Sequence, residues 1–162
     1  VKRMLGIAGV SLAVLTLAAG SSVTAETQPV QITRVSYNAV GADRWANRWQ
    51  ESVTIRNTSG EELDISGWTV HDAYRNPQGE HTNAFVFPSG TKVRPDGYVV
   101  VTPAACPNQT DPAKTMRFCM NFKKGYNGHF LNNKGDVVTV KNAEGETVAQ
   151  LSYDFSNGYY VR

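Results

Sequence analysis

The sequence predicts an all-β domain, two layers of short strands packed as a sandwich. Three observations carry that expectation. Apolar residues alternate with polar ones in short windows, the signature of half-buried strands. Clusters of Gly, Pro, Asn and Asp separate those windows at close intervals. No window carries a convincing helical stripe: the best, Asp43 to Gln50, places Trp45 and Trp49 four apart but spans only about two turns.

The amino-terminal stretch stands apart. Lys2 and Arg3 precede an apolar run from Met4 to Ala19, and small residues follow to Val23-Thr24-Ala25. That order is expected of a secretory signal peptide over residues 1–25, cleaved after Ala25. The run is short for a bilayer core, which needs roughly 20 residues, so no stable membrane insertion is expected after cleavage. A leading Val1, read as a GUG start, suggests a bacterial source. Residues 26–162 then form a single domain, large enough for a real core. Removing Lys2 and Arg3 leaves 14 basic residues against 14 acidic ones. With no basic block, nucleic acid is not an expected partner. The even cysteine count in an exported chain predicts a Cys106–Cys119 disulfide.

The strands follow in order. In "VQITRVSYN" Ile32 and Val35 break strict alternation, which points to a bulge. In "ESVTIRN" Val53 and Ile55 share the inner face. Gly60 marks the next turn, Leu63 and Ile65 share a face, Ser66-Gly67 interrupts, and Trp68 and Val70 resume. "FVF" is a short apolar burst stopped by Pro88 and Gly90. Pro95-Asp96-Gly97 is turn chemistry with Gly97 free to reverse the chain, and it leads into Tyr98 to Val101, a continuous apolar run expected of a central strand. Met116 to Phe122 is a weaker candidate. Val138 and Val140, then Ala149, Leu151 and Tyr153, mark the arms of a hairpin around "NAEGE". Seven or eight such strands suggest an immunoglobulin-like β-sandwich.

The blocks "VSYNAVGAD", "NRWQESVTIRN", "LDISGWTVHDA", "FVFPSGTKVRPDGYVVV" and "LNNKGDVVTVKNAEGETVAQLSYD", in that order, resemble the lamin tail domain family over residues 30–154. This is an immunoglobulin-like module of nuclear lamins and of many exported bacterial proteins. The chain departs from the pattern mainly between Pro103 and Lys124, where the cysteines sit. The resemblance implies a structural or interaction role at or outside the cell surface, with catalysis in multidomain relatives carried elsewhere. The physics of the motif agrees with a scaffold. Asp64 and Ser66 can bond nearby backbone, Gly67 allows tight chain passage, and Trp68 can fill the space between sheets. Asn132 to Asp136, with Gly135 and Asp136 at its end, is another turn.

Catalytic and metal readings are weaker. Trp68 and Val70 point inward, so His71 is expected to face solvent, and His71 and Asp72 diverge because successive strand residues cannot share a face. His81 and His129 are scattered. No spacing favours zinc, and Asp43, Asp64 and Asp72 form no calcium loop, so no metal or cofactor is expected. There is no Gly-x-Ser-x-Gly, and Glu61-Glu62 read as solvated charge. Binding is the better prospect. Trp45, Trp49 and Tyr126 lie in polar segments, and Tyr159-Tyr160 close the sequence. Such rings either anchor a ligand or cover the open edge of the sandwich. The expected function is a secreted, non-catalytic binding module for a protein or cell-envelope polymer. The alternatives are a carbohydrate-binding module and a small secreted hydrolase with a loop-built site.

Overall fold

A computed structural model describes residues 28–74, 78, 84–104, 108–111, 113, 115–120, 130–154 and 160–161, the last two by backbone alone. The expected leader, residues 1–25, lies outside them.

One sheet is built on β1 (Val30–Ser36) and β2 (Ser52–Asn57), followed by β7 (Tyr98–Thr102) and β8 (Met116–Cys119), with β11 (Tyr160–Val161) on the far edge of β1. The second sheet runs β10 (Thr147–Asp154), β9 (Gly135–Lys141), β4 (Thr69–His71), β5 (Ala84–Val86). A two-stranded pair, β3 (Leu63–Asp64) with β6 (Lys92–Val93), bridges one end. Neighbours are antiparallel except β7 and β8, which run parallel with Val99 beside Met116 and Thr102 beside Cys119. Among the described residues the only helix is a single 3-10 turn, Arg48–Gln50.

Periodicity explains the core. Val53 and Ile55 of β2 are buried, as are Val99 and Val101 of β7, an inner strand flanked by β2 and β8. They face Val70, Val138, Val140 and Leu151 from the second sheet. The broken alternation in β1 is a real bulge: the register against β2 shifts between Ile32 and Arg34. The β9–β10 hairpin pairs Val138 with Leu151 and Val140 with Ala149.

Trp68 sits where the two layers close. Val30, Ile55 and Val99 of one sheet and Val140 of the other line the space beside its indole, with Phe87 and Ile65 at its flank. The turn that delivers it is built as its sequence suggests. Asp64 Oδ1 accepts the Ser66 amide at 2.9 Å, and Ser66 Oγ accepts the Gly90 amide at 2.9 Å. Gly67 has φ +74, and a Cβ there would meet nothing nearer than Ala143 Cβ at 3.8 Å. Its role is therefore backbone conformation rather than close passage. In the Pro95 turn the positive φ falls on Asp96, at 57°, and not on Gly97. Gly97 is needed for space, because a Cβ would stand 2.8 Å from the Arg94 carbonyl oxygen.

Asn57, in an Asn-Thr-Ser glycosylation sequence, is buried; its side-chain nitrogen donates to the carbonyls of Glu61, Val93 and Arg94. It ties β2 to the β3–β6 pair.

Trp68→Ala is expected to cost about 3–5 kcal/mol, the range for emptying a buried aromatic site. Urea denaturation followed by far-ultraviolet circular dichroism measures it; a cost below about 1 kcal/mol would mean the sheets close without the indole.

Candidate functional site

The loop between β1 and β2, residues 37–51, carries three of the exposed apolar groups among the described residues. Val40 is 84 % exposed, Trp49 60 % and Trp45 47 %. The loop is nonetheless ordered by its own side chains. Asn47 Oδ1 accepts the Arg44 amide at 2.9 Å, while its Nδ2 donates to the carbonyls of Val40 at 3.2 Å and Ala42 at 3.1 Å. Gln50 Oε1 accepts the Val40 amide at 2.7 Å. Arg48 is buried, donates to the Trp45 carbonyl and lies 3.7 Å from the centre of the Trp45 ring. That cation–π contact fixes one face of the indole. Both tryptophans keep about half of their surface exposed.

A polar network anchors the loop from below. Glu51, the first residue after the 3-10 turn, is fully buried. Its Oε2 accepts the amides of Phe130 at 2.7 Å and Leu131 at 3.1 Å. The turn that follows is braced by Asp136, whose Oδ1 accepts the amides of Ala73 at 3.0 Å and Val137 at 2.7 Å, and whose Oδ2 accepts that of Asn132 at 3.2 Å. Gly135 is required there: its φ is +127, and a Cβ would stand 3.0 Å from the Tyr153 carbonyl oxygen. Asn133 Nδ2 donates to both oxygens of Asp43, at 3.2 and 3.0 Å, and so ties this turn to the loop. Tyr153 stacks on Tyr37, ring centres 4.4 Å apart, and donates to the Asn132 carbonyl at 3.1 Å. Sequence reasoning placed Asp136 in a turn but missed Glu51, whose partners lie 79 and 80 residues away.

The histidine reading needs correction. His71 does lie on the face opposite Val70, but it is buried, as is Asp72. Alternation assigns the face; it does not say whether that face is covered. In the same row Thr139, paired with His71, is also buried and accepts from Gln150 Nε2 at 3.1 Å. His71 Nδ1 lies 3.0 Å from the Asp72 carbonyl oxygen, which can only accept, so this nitrogen carries the proton. The Asp72 side chain accepts the Tyr74 amide at 3.0 Å.

Among the described residues no three His, Cys, Asp or Glu side chains converge as a metal site. Asp64 and Glu61-Glu62 are exposed at the other end, and Glu62 meets Lys92 at 3.3 Å. Cys119 ends β8, and its amide donates to Asn108 Oδ1 at 3.1 Å. Cys106, His81, Tyr126, His129 and Tyr159 lie outside the described residues, and Tyr160 is described by backbone alone.

The family model for the Lamin Tail Domain matches residues 13–155. The chain belongs to the lamin tail domain family. The match covers most of the chain and reaches further toward the amino terminus than residues 30–154. A search of curated proteins by sequence found no match. Family membership accounts for the immunoglobulin-like sandwich.

Two outcomes test the network. Glu51→Ala removes a charged acceptor from two amides and is expected to cost about 3–5 kcal/mol, with Glu51→Gln costing less; chemical denaturation gives both values. Burial, reinforced by Asp136 and Glu51, holds the Tyr153 hydroxyl above the usual tyrosine range. The folded chain therefore keeps a proton that an unfolded tyrosine gives up near pH ~10. This contribution to stability is intact below that pH and is lost as pH rises beyond it. Tyr153→Phe should flatten the alkaline fall in denaturation midpoint, and an unchanged fall would assign it to other groups.

Proposed function

We propose that this lamin tail module is secreted and non-catalytic, and that it acts by binding a protein or cell-envelope polymer through the Trp45–Trp49 loop. The observation that carries this reading is the exposure of Val40, Trp45 and Trp49 on a loop already held by Asn47, Gln50 and Arg48. Rigid aromatic anchors lose little conformational freedom on contact, so they concentrate binding energy. The buried carboxylate of Glu51 and the half-buried one of Asp136 are engaged by backbone amides, which is scaffold work.

A carbohydrate-binding role draws on the same two exposed indoles. It is the weaker reading, because the Asn47 and Gln50 amides that could hold sugar hydroxyls are bonded to the loop's own backbone.

Secretion rests on the leader-like residues 1–25. The Cys106–Cys119 disulfide suits an exported chain, and Asn108, two residues beyond Cys106, bonds the Cys119 amide. No described cysteine is free.

Co-sedimentation of the domain with purified cell-wall sacculi and with envelope proteins measures binding. Trp45→Ala/Trp49→Ala is expected to weaken it at least tenfold while leaving the melting temperature within a few degrees. Equal retention of both proteins would contradict the assigned surface. Mass spectrometry of protein from the culture medium should find an amino terminus at Glu26 and a gain of two hydrogens on reduction.

A further inference from the structure

We infer that the outer edge of β10 pairs with the same edge of a second copy of the chain, joining two four-stranded sheets about a two-fold axis.

Sheet edges carry backbone donors and acceptors without partners, and folded proteins cover, shorten or charge them. In the two main sheets, three of the four edges are managed. β11 pairs along β1 at Arg34 and Val35. The outer edge of β8 is met by Gln109, which exchanges two backbone bonds with Arg117 at 2.8 and 2.9 Å, and by Asn108, whose Oδ1 accepts the Cys119 amide at 3.1 Å. β5 is only three residues long. β10 is different. At eight residues it is the longest described strand, and among the described residues only β9 pairs with it. Its register irregularity is confined to Thr147–Ala149. The stretch from Ala149 to Asp154 holds no Lys, Arg or Pro, and one acid at its end.

The sequence of that edge complements itself. An antiparallel neighbour must set residues of one face opposite each other. With Leu151 on the axis, Gln150 lies opposite the partner's Ser152, and Ala149 opposite the partner's Tyr153. Gln150 and Ser152 are both exposed. Gln150 uses Nε2 on Thr139 Oγ1 at 3.1 Å, which leaves its Oε1 to accept the hydroxyl of the partner's Ser152. Asp154 then falls opposite the partner's Val148. Moving the axis to Gln150 would instead bring Asp154 against the partner's Glu146, two like charges. The second copy is favoured over a foreign strand because the edge itself supplies the matching face and both hydroxyl–amide pairs. A two-fold pair uses up both edges and stops at two copies. It also sends the two Tyr37–Tyr153 stacks, and the loops that begin at Tyr37, toward opposite ends of the joined sheet.

Sedimentation equilibrium tests this on the chain from Glu26 onward, which contains every described core residue. The mass should rise with concentration from one copy to two and level there. Gln150→Lys/Ser152→Lys sets lysine opposite lysine at two symmetry-related pairs and should weaken pairing about tenfold or more, with the melting temperature kept. Gln150→Glu/Ser152→Glu should weaken it likewise, and mixing the two variants should restore pairing between them. A single copy up to millimolar concentration would overturn the proposal. So would a lysine variant that pairs as well as wild type, a mass that climbs past two copies, or a mixture that stays unpaired. Pairing lost in Trp45→Ala/Trp49→Ala with β10 intact would assign the contact to the loop and overturn the β10 edge.

Discussion

A carboxylate placed wholly inside a protein must be met by donors, and that demand at Glu51 organises this end of the molecule. The donors are the amides of Phe130 and Leu131, brought from far along the chain. Once they are seated, the turn from Asn132 to Asp136 has a fixed starting point. Asp136 closes that turn against β4 and β9, and Asn133 reaches across to Asp43. The loop that shows its tryptophans is therefore held at its base by Glu51, at its side by Asp43 and within by Asn47. Its exposure is a built feature, and the apolar groups at its tip are not loosely packed core.

The sandwich supplies the rigidity behind this arrangement. Trp68 joins the sheets near one end, where Asp64, Ser66 and Gly67 set its approach. Tyr37 and Tyr153 stack at the end that carries the loop. An immunoglobulin-like sandwich commonly offers its loops for contact, and the long β1–β2 connection here carries two exposed tryptophans.

Much of the fold was legible because strand pairing leaves a period-2 trace. Val53 and Ile55, Val138 and Val140, and the broken alternation at Ile32 all carried their structural meaning in the sequence. The turn at Asp64 to Trp68 was also readable, because its hydrogen bonds are local. What escaped is long-range. Glu51 looks like an ordinary polar residue before a strand until residues 130 and 131 arrive. His71 has the face that alternation assigns, but a second layer over that face leaves no mark in the strand itself. The tryptophans were ambiguous for a related reason. Their spacing fits either an edge cover or a display, and the Asn47 and Gln50 bonds that hold the loop leave no mark in that spacing.

Hydrogen exchange followed by NMR tests this account most directly. The amides of Val40, Arg44, Asn47 and Gln50 should be protected, the indole N–H groups of Trp45 and Trp49 should exchange freely, and that of Trp68 should be slow. A loop whose amides exchange at unprotected rates, or whose two indoles prove as slow as Trp68, would contradict a prebuilt aromatic display.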